Sequence, residues 1–137
     1  MSKIFAVIDT NVVVSGMITK NPESPTVGVL ASLGDQNITP LYCEEILEEY
    51  KNVLNREKFQ LPKEKIENFI NMLKSDGVST TRKPSKEFFP DPQDIVFYEV
   101  ALSKEDSFLV TGNMKHYPKV DFVVTPAEMM KIIESNK

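Results

Sequence analysis

The chain of 137 residues has few of the residues on which several common kinds of site depend. It contains one cysteine, Cys43, one histidine, His116, and no tryptophan. A disulfide framework, a thiolate metal centre and a histidine-rich zinc site are therefore excluded, because each needs several such residues. Cys43 lies among Leu41, Tyr42 and Ile46, which predicts a buried, unreactive thiol.

Long apolar runs and an excess of positive charge are also missing. No apolar run approaches the roughly 20 residues of a membrane-spanning helix, and the N-terminus lacks a basic segment followed by an apolar one. We therefore expect a cytoplasmic protein. The net charge is −4, whereas nucleic-acid-binding domains are usually basic. This balance disfavours tight, metal-independent binding of nucleic acid, but it is compatible with an acidic pocket that receives phosphates through a bound cation.

The patterns along the chain predict one domain over residues 1–137, with strands and helices in alternation. Predicted strands cover residues 4–8, 38–42, 78–81, 107–111 and 122–124. Predicted helices cover residues 27–34, 44–54, 62–77 and 95–102, with a last one that starts in a capping box at Thr125. Residues 12–17 have mixed character, and Pro40 is expected at an edge or a bulge. The alternation predicts a three-layer α/β/α sandwich around a central, mostly parallel sheet.

The first apolar segment leads directly into three polar residues, Asp9, Thr10 and Asn11. A short apolar run of this kind is typical of a strand that is buried on both faces. Asp9 then lies at the carboxyl edge of the sheet, where ligands bind in open α/β folds. Alternatively, Asp9 caps a turn and its two neighbours bond to local backbone. This stretch alone leaves both interpretations open.

Glu49 is the second notable acid, and helical geometry distinguishes it from its neighbour. It lies three residues after Ile46 and four before Val53, so it borders the apolar stripe of its helix. Glu48 lies farther from that stripe, and we expect it to be solvated.

Asp94 is the third acid, at the start of the helix over residues 95–102. It is a candidate for the cleft or for an N-terminal cap, and Asp91 competes for both roles. Asn113 follows the strand over residues 107–111 and is expected at the same edge as Asp9. The alternative for Asn113 is a tight turn that requires Gly112.

Two carboxylates and one amide near carboxyl strand ends, with a helix acid beside them, suit a divalent cation. Clustered carboxylates raise one another's pKa unless a cation is present, and hard oxygen ligands favour Mg²⁺ or Mn²⁺. Such an ion acidifies bound water and orients a phosphate oxygen, which is the chemistry of phosphodiester hydrolysis.

Four segments, residues 8–11, 45–54, 91–94 and 109–113, together resemble the PIN domain family of metal-dependent ribonucleases. The resemblance covers essentially the whole chain and is strongest to toxins of prokaryotic toxin–antitoxin pairs. It implies a Rossmann-like α/β/α fold with acids around one or two Mg²⁺ or Mn²⁺ ions. It also implies an RNA substrate, an antitoxin protein as partner, and a homodimer.

Residue by residue, the resemblance implies that Asp9, Glu49 and Asp94 are the catalytic metal ligands. The residues that it assigns to positioning the metal are Thr10, Asn11, Asp91, Thr111 and Asn113. The family often has a fourth acid at the position of Asn113. An amide there brings no charge, so a second ion would be held less firmly.

The leading hypothesis is therefore a metal-dependent endoribonuclease. Its candidate RNA contacts are Arg82, Lys83, Lys86, Lys115 and His116, for which a solvated loop is the alternative. A non-catalytic PIN-like module that binds RNA or protein is the second hypothesis, because of Asn113 and the acidic net charge. A phosphotransferase with Asp9 as nucleophile is the third, but Asn11 stands where a second Asp would be expected.

Overall fold

The computed structural model describes residues 3–137 and has a five-stranded sheet at its centre. The strand order is β3-β2-β1-β4-β5, and every neighbouring pair is parallel. The strands are β1 (Phe5–Ile8), β2 (Thr39–Tyr42), β3 (Val78–Ser79), β4 (Ser107–Val110) and β5 (Val123–Val124). The helices are α1 (Thr10–Ile18), α2 (Pro25–Gly34), α3 (Glu44–Leu54), α4 (Lys63–Asp76), α5 (Ile95–Leu102) and α6 (Pro126–Asn136). The predicted α/β/α sandwich is confirmed, with a sheet that is parallel throughout.

The helices cover the sheet and bury its central strands. Helix α1 contacts α2 and α3, α2 contacts α6, and α3 also contacts α4 and α5. Helix α5 lies against β1, β2 and β4. Because β1 and β4 are covered in this way, nearly all of their residues are buried, as the continuous apolar runs predict. Within residues 3–137, none of the helices is both long and apolar enough to cross a membrane.

Helix α1 was missing from the sequence prediction for residues 12–17. The segment is a continuous helix that starts at Thr10, immediately after Asp9. Its apolar residues are distributed around the helix rather than along one stripe, because Val12 and Val13 are fully buried while Val14 is partly buried. A helix that is apolar on several sides has no clear period in its sequence, which explains the missed prediction.

Pro40 lies in an interior strand, so the expectation of an edge or a bulge was wrong. The N–H of Thr39 donates to the carbonyl of Ile4 beside β1, at 2.7 Å. Successive N–H groups in a strand point to opposite sides, so the nitrogen of Pro40 faces β3. The ladder with β3 starts only at Leu41, which pairs with Val78. Pro40 therefore removes no hydrogen bond from the sheet.

The strand order reverses between β1 and β4, which makes their carboxyl ends the topological switch point of the sheet. One chain segment leaves this point toward β2 and another toward β5, so a crevice opens between them. Asp9 follows β1 directly, and Thr111 follows β4 directly. The fold thus brings two polar segments, about a hundred residues apart in the chain, to one place.

Candidate active site

Asp9 is the most deeply placed acid at the switch point, with 4% of its surface exposed. It precedes the first turn of α1, but its carboxylate does not cap that helix. Three side chains instead donate to its Oδ2 atom: Thr111 Oγ1 at 2.8 Å, Asn11 Nδ2 at 3.0 Å and Tyr117 Oη at 3.0 Å. The carboxylate therefore belongs to a side-chain cluster rather than to a local turn.

The donors around Asp9 are themselves held in place by backbone groups. Asn11 Oδ1 accepts a hydrogen bond from the Gly112 N–H, at 3.0 Å, and Thr111 Oγ1 accepts one from the Asn113 N–H, also at 3.0 Å. Gly112 does not have a positive φ, so the turn does not need a left-handed glycine. A Cβ at Gly112 would lie 3.2 Å from Asn11 Oδ1, so the glycine allows the close approach of this amide.

The structure distinguishes Asp91 from Asp94, which were both candidates for the cleft and for an N-terminal helix cap. Asp91 caps the short 3-10 helix Pro92–Asp94 by accepting a hydrogen bond from the Gln93 N–H at 3.0 Å. Asp94 makes no side-chain cap for α5, and its Oδ2 lies 3.0 Å from His116 Nδ1. Asp91 is therefore the cap, whereas the Asp94 carboxylate is bonded to His116 instead.

Glu49 reaches the same crevice from α3. The hydroxyl of Thr10 donates to its Oε2 atom at 3.2 Å. The next residue, Tyr50, is fully buried and donates its hydroxyl proton to the carbonyl of Ile8, which fixes α3 against the end of β1. Glu48 is exposed, as its position on the helix predicted.

The acids at the switch point are costly to ionise. Burial raises the pKa of Asp9 above its ordinary value, although the hydrogen bonds from Thr111, Tyr117 and Asn11 act in the opposite direction. Burial, followed by the negative charges of Asp9 and Asp91, raises the pKa of Asp94 to about 6, against the counteracting bond to His116. Burial and the charges of Asp9 and Asp94 also raise the pKa of Tyr117, which stays a hydrogen-bond donor.

The acids Asp9, Asp91 and Asp94 line one cleft with a volume of about 460 Å³. The other polar and charged residues of its lining are Thr10, Asn11, Ser15, Glu49, Arg56, Gln93, Asn113 and His116. The rest of the lining is apolar and consists of Val14, Ile18, Val53 and Phe59. A second depression of about 480 Å³ between α3 and α4 contains none of the clustered acids.

The arrangement of these acids at the crevice can be compared with known families. The family model of the PIN domain matches residues 6–115, which is most of the chain and includes Asp9, Glu49 and Asp94. The chain belongs to the PIN domain family. No curated protein matches the chain. PIN domains are generally metal-dependent nucleases, which agrees with a cleft lined by acids.

The three-ligand metal centre of this PIN domain stays a prediction. Within the described part of the chain, no three acidic, histidine or cysteine side chains lie close enough together to hold one ion. Glu49 accepts a hydrogen bond from Thr10 and lines the same cleft as Asp9 and Asp94. Asp9 and Asp94 are close enough for the charge of one to raise the pKa of the other.

Two carboxylates of this kind nevertheless fit a divalent ion. Mg²⁺ commonly binds proteins through one or two carboxylates and takes its remaining ligands from water and substrate phosphates. A cation would also remove the mutual repulsion that makes Asp9 and Asp94 costly to ionise. The donor chemistry of the cleft therefore fits Mg²⁺ or Mn²⁺.

The cations that the sequence suggested for RNA binding differ in their placement. Arg82 lies between two acids, with its guanidinium 2.6 Å from Glu45 and 2.7 Å from Glu99, so it is not a free cation. Lys83, Lys86 and Lys115 are exposed and do not line the cleft. Of the five candidates, His116 alone lines it, where it is bonded to Asp94.

Sequence reasoning missed three residues of this PIN domain. Tyr117 bonds to Asp9 from 108 positions along the chain, and its neighbours in the sequence, Lys115 and His116, gave no signal for a buried hydroxyl. Arg56 and Phe59 line the cleft from the loop after α3. Their position in the sequence could have indicated them, because a basic and an aromatic residue follow closely after the helix of Glu49.

Proposed function

We propose that this PIN domain is an Mg²⁺- or Mn²⁺-dependent endoribonuclease that hydrolyses RNA phosphodiester bonds. The observation that carries the proposal is the pair Asp9 and Asp94, which lie in one cleft at the switch point and repel each other there. Glu49 is proposed as the third acid of the same site.

Asp9 and Asp94 would hold the ion, which supplies charge stabilisation for the phosphate and acidifies water when it is bound. The side chains of Asn11, Thr111 and Tyr117 fix the Asp9 carboxylate before substrate arrives. Such preorganised groups avoid the cost of reorganising during the reaction.

The other residues of the cleft orient groups and hold protons. His116 Nδ1 and Asp94 Oδ2 share a hydrogen bond of 3.0 Å, so a proton can reside between an imidazole and a carboxylate at the cleft wall. Thr10 positions the Glu49 carboxylate through its hydroxyl. Asn113 brings an amide to the position where the family often has an acid, which favours one firmly held ion.

The test is calorimetric titration of Mn²⁺ into the wild type and the Asp9→Asn variant, followed by cleavage assays on single-stranded RNA. We expect Asp9→Asn to lose both Mn²⁺ binding and cleavage, because it removes the charge of the central carboxylate. The fold should survive, since an amide of the same shape replaces a buried carboxylate whose pKa is already raised. Cleavage by Asp9→Asn at the wild-type rate would refute the proposal.

The chain offers a matched control on α3. Glu49→Gln and Glu48→Gln change adjacent acids of the same helix by the same atoms, but only Glu49 lines the cleft. We expect Glu49→Gln to reduce cleavage at least tenfold and Glu48→Gln to leave it unchanged. Equal effects of the two would argue against a role for Glu49.

The second candidate function is a non-catalytic module that binds RNA or protein with a degenerate metal site. It is favoured by the absence of a three-ligand cluster within residues 3–137 and by the amide of Asn113. RNA binding that persists in a chelator, without cleavage in Mg²⁺ or Mn²⁺, would support this function over the nuclease.

The resemblance to toxins of prokaryotic toxin–antitoxin pairs suggests a physiological setting. We propose a cytoplasmic toxin of a toxin–antitoxin pair, with an antitoxin protein as partner and a homodimer as the assembled form. Co-expression with the protein encoded by the adjacent gene, followed by measurement of cell growth and of the complex mass, tests the toxin role, the partner and the dimer.

A further inference from the structure

The cleft that contains Asp9 and Asp94 has a second wall of different chemistry. We call it the apolar wall, and it consists of Val14 and Ile18 of α1, Val53 of α3 and Phe59 of the short 3-10 helix Glu57–Phe59. Three separate chain segments thus bring apolar side chains to the cleft beside the acids.

Most of the apolar wall is not used by the protein core. Among the described residues, the core and the side chains packed against it include Val14 but not Ile18, Val53 or Phe59. Ile18 is 44% exposed at the end of α1. Apolar surface that lies in a cleft and is not part of the core is available for a ligand.

The wall also carries positive charge. Arg56 lies immediately before the 3-10 helix and lines the cleft, and within residues 3–137 no carboxylate forms an ion pair with it. The ammonium group of Lys58 lies 5.2 Å from the centre of the Phe59 ring. Gln60 ends this segment in a left-handed conformation, with φ of 50°. That conformation is uncommon for a non-glycine residue, so this turn has a defined geometry.

We propose that the apolar wall, together with Arg56, is a nucleobase subsite that receives one unpaired base of single-stranded RNA. This inference rests on the proposed function, because the phosphate next to that base would lie at the acids. A nucleotide combines an anionic phosphate with an apolar base, and the cleft combines cation-binding acids with an apolar wall. Its volume of about 460 Å³ lies in the usual range of pockets for small ligands, roughly 300–1,000 Å³.

The chemistry of the wall favours single-stranded over double-stranded RNA. Proteins recognise single strands by stacking splayed bases on aromatic rings and arginine planes. A base inside a duplex is already stacked and paired, so it cannot stack on Phe59 or Arg56 without first being extruded. Phe59 and Arg56 are residues of the two types that stack on bases, and they lie three positions apart in the chain.

The experiment uses short single-stranded RNAs in which one nucleotide at a time is replaced by an abasic residue. Binding is measured by fluorescence anisotropy with Ca²⁺ in place of Mn²⁺ and also in a chelator, and cleavage is measured separately with Mn²⁺. For the wild type, we expect one abasic position to weaken binding by about 5- to 150-fold, the range of one stacked base. Phe59→Ala should weaken binding of the intact RNA to a similar degree and should be insensitive to that abasic position.

Two further variants make the result specific. Phe59→Tyr keeps an aromatic ring and should restore binding and sensitivity to the abasic position. Phe88→Ala removes a phenylalanine that is 85% exposed and does not line the cleft, so it should bind every RNA as the wild type does. Because Phe59 is not part of the core, Phe59→Ala should fold normally, which circular dichroism checks.

The outcomes separate this inference from the proposed function. Wild-type binding by Phe59→Ala, equal binding of duplex RNA, or no RNA binding in either buffer would overturn the nucleobase subsite. Cleavage that depends on Asp9 but not on Phe59 would leave the nuclease standing and remove the subsite. Binding that depends on Phe59 and one base, without cleavage in any metal, would keep the subsite and remove the nuclease.

Discussion

The Asp9 carboxylate accepts three side-chain hydrogen bonds on one oxygen and still has a raised pKa. The effect of burial on the pKa is therefore larger than the effect of the three hydrogen bonds. A nearby positive charge would still stabilise the ionised carboxylate. Glu99 is also buried, but its carboxylate lies 2.7 Å from the Arg82 guanidinium. At the scale of single residues, the difference between the two acids is the presence of a cation.

Tyr117→Phe tests how the Asp9 carboxylate is positioned. The change removes one hydroxyl that donates to Asp9 Oδ2 and keeps the ring, which packs edge-on against Phe89. We expect Mn²⁺ affinity to fall by about 10- to 100-fold, the usual effect of losing a group that orients a metal ligand. Calorimetry measures this loss. Unchanged affinity in a folded Tyr117→Phe would show that the hydroxyl does not position the ligand.

Asp94→Asn tests the raised pKa by its effect on stability. Asp94 has a pKa of about 6 in the folded protein, against 3.8 ordinarily, so the folded state binds more protons than the unfolded state between these values. The stability of the wild type therefore falls as pH rises from about 4 to 6. An uncharged Asn avoids this loss, so Asp94→Asn should be more stable than the wild type above pH 6, by about 1–3 kcal/mol.

The measurement for Asp94→Asn is urea unfolding of both proteins between pH 4 and pH 7.5 without divalent metal. The difference in the free energy of unfolding should grow as pH rises through the window and then become constant. A difference that is constant with pH, or that grows toward acid, would contradict the assignment.

At the scale of elements, the site depends on how α3 and α5 are held relative to each other. Arg82 connects them, because its guanidinium contacts Glu45 on α3 and Glu99 on α5. Glu99 also accepts a hydrogen bond from the Ser85 N–H at 2.8 Å, which ties down the loop that leads to Asp91. The sequence suggested Arg82 as an RNA contact. In the structure, Arg82 instead joins α3, which carries Glu49, to α5, which follows Asp94.

Arg82→Ala should lower the free energy of unfolding by about 2 kcal/mol. Loss of a buried pair partner costs roughly 3–5 kcal/mol, and the partial exposure of Arg82 reduces that cost. Lys83→Ala is the control, since its side chain is exposed in the same loop and should cost less than about 0.5 kcal/mol.

Denaturant unfolding of single and double variants tests the Arg82 prediction. If Arg82 acts through Glu99, the loss in Arg82→Ala combined with Glu99→Gln should be smaller than the sum of the two single losses. Additive losses, or an effect of Arg82→Ala no larger than that of Lys83→Ala, would contradict the connecting role.

At the scale of the whole molecule, a metal ion that binds only the folded protein must stabilise it. Asp9 and Asp94 come from segments far apart in the chain, so the unfolded chain does not bring them together. Mn²⁺ at a hundred times its dissociation constant should add about 2.7 kcal/mol to the free energy of unfolding.

Thermal unfolding with and without Mn²⁺ checks this expectation. The wild-type Tm should rise by several degrees, a chelator should reverse the rise, and Asp9→Asn should show none of it. An equal rise in Asp9→Asn would place the stabilising ion elsewhere on this acidic molecule.

The sequence by itself determined the layers of the fold and the position of the acids along the chain. Short apolar runs predicted β1, β4 and β5, and the apolar stripe of α3 separated Glu49 from Glu48, because burial imposes these patterns directly on the sequence. The exposed strand β3 was also placed correctly, but its residues Val78 and Ser79 form no apolar run. The capping box of α6 was equally predictable from the sequence, since its two partners, Thr125 and Glu128, are three residues apart.

Only the tertiary structure decided which polar side chains meet. The bonds to Asp9 from Thr111 and Tyr117 span more than a hundred residues, and the pairing of Arg82 with Glu99 depends on the packing of a loop against α5. These contacts produce no repeating pattern in the sequence, because a single hydrogen bond constrains only two positions. The same holds for the apolar wall, since Ile18, Val53 and Phe59 become neighbours only when three segments converge on the switch point of the sheet.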